Sequence, residues 1–391
     1  MEGKPKRVAL MLELQWPYKR HSEVFSGTQI YANTSNWHSI IDEYAHLTLA
    51  SHSKTSLPYD GVIARTNLAL AQQSARLGIP VVNIWASSPV RAQVPGVYAD
   101  AREAGRLCAE HLLVRGFRNF GTLTSPRNLF EGLLVGGFIR VVANAGFQVD
   151  SQQFPQNPNQ TFAKWRKTEH LIEQWMCRWK PPIGVYVGQE DTGRLVVQMC
   201  HRRGWRVPED VAIIAGQNQE ALCEHPRPSL TSLELGYERI GYEAAKLLDQ
   251  LMRGEGPPTD PILLAPQGLV VRESTDFFAV DDELVASALS YISANSHRPI
   301  GPTDVARAVG AETRTLQNYF QKFLARPIAT EIRRVRIERA KRELAQGKRP
   351  LADIALAVGF GSIQRLYEVF LREVGVTPSE YRKQRKTENE L

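Results

Sequence analysis

The sequence predicts an α/β domain of two lobes followed by an all-α domain that carries two helix-turn-helix units. Three observations predict it. Strand-like and helix-like segments alternate through the first 276 residues, a heptapeptide near the C-terminus recurs 49 residues later, and the basic excess is concentrated in that same C-terminal part. A chain of 391 residues exceeds the size at which one hydrophobic core keeps growing, and 43% hydrophobic content can supply several cores. The domains are accordingly placed at 1–276 and 277–391.

In the first domain, residues 8–14, 61–64 and 81–84 read as strands with helical stretches between them, and 120–123, 183–187 and 211–215 repeat the pattern. Alternation of this kind argues for parallel sheets flanked by helices. Six core strands in two sets imply two lobes. Ligands are then expected at the carboxyl ends of the strands, in the cleft between the lobes.

In the second domain, Asp304-Val305-Ala306-Arg307-Ala308-Val309-Gly310 returns as Asp353-Ile354-Ala355-Leu356-Ala357-Val358-Gly359. One supersecondary unit is used twice. In each copy the apolar residues mark one face of a short helix, and the Gly can supply the positive φ that ends it. A second helix follows each turn, with apolar stripes at Leu316, Tyr319, Phe320 and Phe323 and at Leu366, Val369, Phe370 and Val374, which are most simply core. The opposite faces carry Arg314, Gln317, Asn318, Gln321 and Lys322, then Gln364, Arg365, Glu368 and Arg372. Singly, such side chains are more often solvated than functional. In the arrangement helix, Gly turn, polar-faced helix, occurring twice, they can reach base edges and phosphates of double-stranded DNA. Between the copies, residues 330–346 form an Arg-rich helical pattern with Ile332, Val335, Ile337, Ala340 and Leu344 on its apolar side. Such a helix is roughly 25 Å long, a scale that holds two recognition helices about one DNA turn apart.

Composition excludes several classes. The basic start, Lys4, Lys6 and Arg7, precedes only a short apolar run before Glu13, which is too little for a signal peptide or membrane span. Cys108, Cys177, Cys200 and Cys223 form no C-x-x-C pair, so neither zinc nor a disulfide framework is expected, and buried reduced thiols suit a cytoplasmic protein. No cofactor is expected. The formal charge of +7 divides unevenly: from Phe277 onward there are 19 Lys and Arg against 14 Asp and Glu, and before it 29 against 27. Charge alone describes a solvated tail; with the repeated motif it points to nucleic acid.

The second domain resembles the AraC family of transcription regulators over residues 284–383. The likeness rests on Arg336-Ile337, Ala340 and Leu344 in the spacer, on Ile354-Ala355 and Gly359-Phe360, and on the closing run from Gly375 to Arg382. The resemblance implies base-reading residues at Arg314, Gln317 and Asn318 in the first recognition helix, and at Ile363, Gln364, Arg365 and Glu368 in the second. Ser362 keeps the family's helix-start Ser and is counted with the DNA-contacting residues. Glu312 stands where the family has that Ser in the first unit, so the cap is expected to shift to Thr313.

The first domain resembles the sensors of LacI-type repressors and periplasmic sugar-binding proteins. The likeness is carried by Asp100, Ala104-Gly105, His111-Leu112-Leu113, Arg115-Gly116-Phe117, residues 204–210, residues 229–232, and Ile240-Gly241 with Ala244-Ala245. A periplasmic-binding-protein-like sensor ahead of an AraC-like pair is similar to the xylose-operon regulators, including the junction at 272–276. The resemblance implies a small polar ligand, a monosaccharide, and a homodimer. Sugar sites need carboxylates and amides for hydroxyls, a basic donor and an aromatic wall. By position, Glu190 and Gln217 stand at strand ends where such sensors present acidic ligands, and Glu13, Trp16, Tyr18 and Arg65 follow strands of the N-terminal lobe. The stretch 133–138, where many LacI relatives place a sugar-clamping Arg, has no basic residue. Each candidate has a second reading: Glu190 and Asp191 as a solvated helix start, Trp16 as core, and Arg65 as a side chain reaching solvent or a protein partner.

The expectation is therefore a cytoplasmic, ligand-responsive regulator that binds an operator, not an enzyme. A DNA-repair methyl-acceptor carrying AraC-like units would need a reactive Cys, and none of the four has a neighbouring Cys, His or Glu motif. A plain sugar-binding protein does not account for the C-terminal repeat.

Overall fold

The computed structural model describes residues 4–15, 18–125, 128–154, 161–279, 282–324, 326–346 and 349–382. The N-terminal lobe begins β1 (Lys6–Met11), α1 (Lys19–Thr34), β2 (Trp37–Ile41), α2 (Ala45–Ala50), β3 (Gly61–Ala64), α3 (Leu68–Leu77), β4 (Val81–Asn83) and β5 (Val97–Ala99). Its parallel sheet has the order β2-β1-β3-β4. All of β3 and β4 is buried, as the strands of a sheet covered on both faces must be. The expected strand 8–14 stops at Met11 because Glu13 takes a left-handed backbone (φ 57°), with its N–H and that of Leu14 donating to the Glu43 carboxylate at 2.6 and 2.8 Å.

The chain then crosses into a second lobe made of α4 (Ala101–Val114), β6 (Asn119–Thr124), α5 (Leu129–Asn144), β7 (Val149–Gln153), α6 (Phe162–Met176), β8 (Ile183–Val187), α7 (Glu190–Arg202) and β9 (Val211–Ala215). Its parallel sheet runs β7-β6-β8-β9. After α8 (Glu220–Glu224) and β10 (Ser232–Glu234) the chain returns to the first lobe, where α9 (Tyr237–Met252) packs on α1 and β11 (Ile262–Leu264) pairs with β5. It crosses a third time into β12 (Gly268–Val270), which pairs with β10. Backbone touches backbone at the α1–α9 crossing: a Cβ on Gly27 would fall 1.7 Å from Glu238 O, and one on Gly241 2.0 Å from Val24 O. Cys108, Cys200 and Cys223 are buried as expected, whereas Cys177 is exposed, its sulfur within 3.3 Å of an Arg203 guanidinium nitrogen.

Helices α10 (Glu283–Asn295), α11 (Pro302–Ala308), α12 (Thr313–Leu324), α13 (Ile328–Gln346), α14 (Leu351–Ala357) and α15 (Ile363–Val374) build the second domain around two cores. The first gathers Val285, Leu289, Ile292, Val305, Leu316 and Phe320, the second Ile354, Val358, Leu366, Val369 and Phe370. The spacer α13 serves both, giving Ile328 and Ile332 to one and Ile337, Ala340 and Leu344 to the other. Tyr319, expected in the first core, lies at the surface, 5.9 Å from the Phe323 ring. Segment 277–279 belongs to both domains: Phe278 enters the first helical core, while Ala279 packs into the sensor and donates its N–H to Arg115 O at 2.7 Å. No described helix is long and apolar enough to cross a membrane.

Candidate functional site

A cavity of ≈ 470 Å³ lies between the lobes of the first domain, within the range of small-molecule sites. From the N-terminal lobe it is walled by Arg20 and His21 at the start of α1, by Arg65 after β3, by Trp85 and Ser87 after β4, by Tyr98 on β5 and by Tyr237 on α9. From the second lobe come Ser125, Asn128, Phe130 and Gln217. The lobes are closed on each other: Ser87 donates to Asn128 Oδ1 at 3.2 Å, and the Lys19 N–H donates to Gln219 Oε1 at 3.0 Å.

Of the six expected ligand contacts, Arg65 and Gln217 line this cavity. The Arg65 guanidinium stacks 4.9 Å from the Trp85 ring and is ion-paired with Glu13, and burial pulls its pKa down. Glu13 thus stands behind Arg65 rather than among the lining residues. Gln217 Oε1 accepts from the Tyr237 hydroxyl. Glu190 is turned away: its Oε1 accepts from the backbone N–H groups of Gln217 and Gln219 at 2.7 and 2.9 Å, and the carboxylate packs over Gly216, so it shapes the loop that carries Gln217. Tyr18 is exposed, outside the cavity wall, with the Arg20 guanidinium 4.6 Å from its ring. Trp16 lies outside the described residues.

Sequence reasoning missed Arg20, Trp85, Tyr98, Asn128 and Tyr237. Trp85 directly follows an expected strand, as Arg65 does, and the same strand-end rule could have found it; Asn128 lies farther along the loop after another expected strand. Tyr98 and Tyr237 arrive through the crossover segments, whose three-residue strands leave no periodic signal.

Glu131, in the first turn of α5, sits behind Ser125 and Asn128. Its carboxyl accepts from Ser125 N–H at 2.6 Å and Asn128 Nδ2 at 2.8 Å, yet burial outweighs these bonds and pushes its pKa up to about 7. A carboxyl whose folded pKa exceeds its unfolded value binds more protons in the folded state. Stability is then greatest below the ordinary value of 4.5 and declines as pH rises to about 7, by at most about 3 kcal/mol. Melting temperatures of the wild type and Glu131→Gln, compared from pH 5 to 8, should diverge in favour of the variant as pH rises. A difference that stays constant across that range contradicts the assignment.

The second candidate surface is on the helical domain. Arg314, Gln317 and Asn318 are exposed on α12, and Gln364, Arg365 and Glu368 on α15, while Ile363 is half-buried. Ser362 accepts from Arg365 N–H at 3.2 Å as N-cap of α15. In the first unit the expected shift of the cap to Thr313 does not occur. The helix already begins at Thr313, and the residue before it, Glu312, accepts the Leu316 N–H at 2.9 Å. Arg365 is ion-paired with Glu368 at 2.8 Å, one turn along the same face. The two units are fixed together: Arg336 on α13 donates to the carbonyls of Ser296, Arg298 and Ile300, and Arg339 donates to that of Ser293.

Comparison with known proteins matches residues 109–275 to the periplasmic binding protein-like domain and residues 305–384 to a helix-turn-helix domain. The chain is 26% identical to the xylose operon regulatory protein of Escherichia coli K12, over 98% of each chain. It is 25% identical to that of Haemophilus influenzae, over 96% of this chain and 98% of the relative. Among solved structures, that of a xylose-binding transcription activator superposes with a TM-score of 0.60 at 24% identity, covering 98% of this chain and 99% of the other.

Proposed function

We propose, from the premise that this chain joins a periplasmic binding protein-like domain to an AraC-type helix-turn-helix domain and resembles the xylose operon regulatory proteins along nearly its whole length, that it is a sequence-specific transcription regulator whose cleft senses a monosaccharide. The observation that carries this reading is an aromatic-walled cavity with convergent polar side chains between the lobes, in a chain whose other domain presents two polar-faced second helices. Asn128, Gln217 and Ser87 suit sugar hydroxyls, Arg65 and Arg20 are the basic donors, and Trp85 and Tyr98 are the aromatic walls. Glu13 and Glu190 act through Arg65 and through the 216–219 loop. The regulator works in the cytoplasm as a homodimer, in line with the sensor's resemblance to dimeric repressors, and pairing doubles its contacts with DNA.

A ligand between the lobes can bias the DNA-binding state only by binding one lobe arrangement better than another. The structure offers a physical connection. Asn128 and Phe130 wall the cavity from the start of α5, and α5 packs on α4 with a Cβ on Gly105 falling 1.9 Å from Leu134 O. At its far end α4 carries His111, which bonds Thr275 Oγ1 at 2.8 Å, and Arg115, just past the helix end, donates to Thr275 O at 2.7 Å with its guanidinium near the Phe278 ring. A shift of α4 thereby reaches the first helical core.

DNA binding tests the reading most directly. With a site selected from a random-sequence pool, Arg365→Ala should cost roughly 1–3 kcal/mol and relax preference at one base pair, as loss of a bidentate Arg contact does. Arg372, seven residues on and paired with Glu373 at 3.0 Å, lies where a recognition helix meets phosphate. Its replacement should cost less, equally on all sequences, with a shallower salt dependence. An Arg365 variant that weakens binding uniformly across sequences moves that residue to the phosphate class. Absence of any enriched sequence removes the regulator reading itself.

A further inference from the structure

The cavity is lined by basic and neutral polar side chains and, among the described residues, by no carboxylate. Two guanidiniums, Arg20 and Arg65, line it, together with Ser87, Ser125, Asn128, Gln217 and Tyr237, and no acidic side chain lines it among the described residues. None stands at positions 16–17 or 126–127 in the sequence either. The carboxylates on the surrounding elements are already engaged. Glu13 holds Arg65; Glu23 and Glu234 share the Lys19 ammonium at 3.1 and 3.0 Å; Glu131 takes Ser125 N–H and Asn128 Nδ2; Glu190 takes the loop amides of Gln217 and Gln219. The amide oxygens already accept one side-chain bond each, Gln217 Oε1 from the Tyr237 hydroxyl and Asn128 Oδ1 from Ser87. A neutral sugar presents hydroxyls that must donate as well as accept, and this wall offers those donors only hydroxyl and amide oxygens and no carboxylate. Of the two guanidiniums, Arg65 is balanced by Glu13. Among the described residues Arg20 has no carboxylate at ion-pair distance: its guanidinium lies 4.6 Å from the Tyr18 ring and its Nε donates to His21 Nε2 at 3.2 Å.

Resting on the monosaccharide reading and narrowing it, we infer that the ligand is an anionic sugar derivative, whose carboxylate or phosphate oxygens are taken up by Arg20. Acceptor-only oxygens match a guanidinium on a wall without carboxylates, and charge-assisted bonds to a guanidinium are about twice as strong as neutral ones. The aromatic residues Trp85 and Tyr98 remain for the ring.

The test is calorimetry and thermal shift on the full chain with three matched sets: D-xylose and D-glucose, their acids D-xylonate and D-glucuronate, and their 5- and 6-phosphate esters. An acid or an ester should bind at least roughly tenfold more tightly than its neutral parent, and the set that binds identifies the anionic group. Arg20→Gln should then remove that margin. Neutral parents binding as tightly as their anionic derivatives overturn the inference and leave the sugar-sensor reading standing. Failure of all three sets overturns both. Because the wild-type comparison decides between these outcomes, the result does not depend on the variant folding.

Discussion

Replacing Glu331 by Ala is expected to destabilise the helical domain by about 3–5 kcal/mol, the usual consequence of breaking a buried ion pair from one side. The side chain is fully buried in the first turn of α13, beside Ile328 and Ile332 in the first core. Its oxygens lie 2.7 Å from Arg326 Nε, and 2.5 and 3.0 Å from Arg334 nitrogens. Both arginines are themselves mostly covered, and burial pulls the Arg326 pKa down against the opposing pull of Glu331. Without the carboxylate, two partly desolvated positive charges face each other at the start of a helix, where the backbone dipole is also positive. The measurement is unusually clean because all seven tryptophans lie before residue 277. Helical circular dichroism should report the shifted transition of the C-terminal domain while tryptophan fluorescence reports an unmoved sensor. A loss below about 1 kcal/mol, or a shift confined to the fluorescence, removes Glu331 from this role.

The same residue shows where reading the sequence stops. A Glu among Arg333, Arg334, Arg336 and Arg339 looks like a solvated helix face, and only the packing of α13 between two cores puts it inside. The cores themselves were legible, because Val305, Ala306, Ile354 and Ala355 repeat at helical spacing and are all buried. Strands β3, β8 and β9 appear with the expected bounds, being buried on both faces and therefore continuously apolar. Edge strands escaped for the opposite reason: β7 reads Val149, Asp150, Ser151, Gln152 and Gln153, half-exposed and polar, a composition shared with loops. At the cavity, strand ends led to the correct loops but not to side-chain direction. Glu190 and Gln217 both follow core strands. Whether a side chain points into the cleft or back onto its own loop depends on Gly216 at φ 65°, which lets the turn fold under the Glu190 carboxylate.

The heptapeptide repeat supplies the second large effect, because its two glycines are equivalent in sequence but not in surroundings. Gly310 and Gly359 both have left-handed backbones, at φ 70° and 89°. A Cβ on Gly310 meets nothing within 4 Å, so Gly310→Ala should cost only the backbone strain, about 1–2 kcal/mol. A Cβ on Gly359 would lie 2.2 Å from Ser296 O, 2.9 Å from Arg336 Nε and 3.1 Å from the His297 carbonyl carbon. This is where the turn of the second unit rests on the end of α10 in the first, and Arg336 bonds the same Ser296 carbonyl at 2.9 Å. Arg336 can swing aside, but the nearest atom is backbone, so a methyl group there must push the turn away from Ser296 and loosen the bonds that fix one unit to the other. Gly359→Ala should therefore add a further ~1–3 kcal/mol of overpacking to the shared strain. It should also weaken binding to a site that engages both recognition helices, since their relative placement depends on this contact. Denaturation of both variants, with DNA titrations on full and half sites, separates the contributions. Gly359→Ala should lose most on the full site, and Gly310→Ala much less. Equal losses for the two glycines would mean that the units are not held together through this contact, leaving α13 alone to set their spacing.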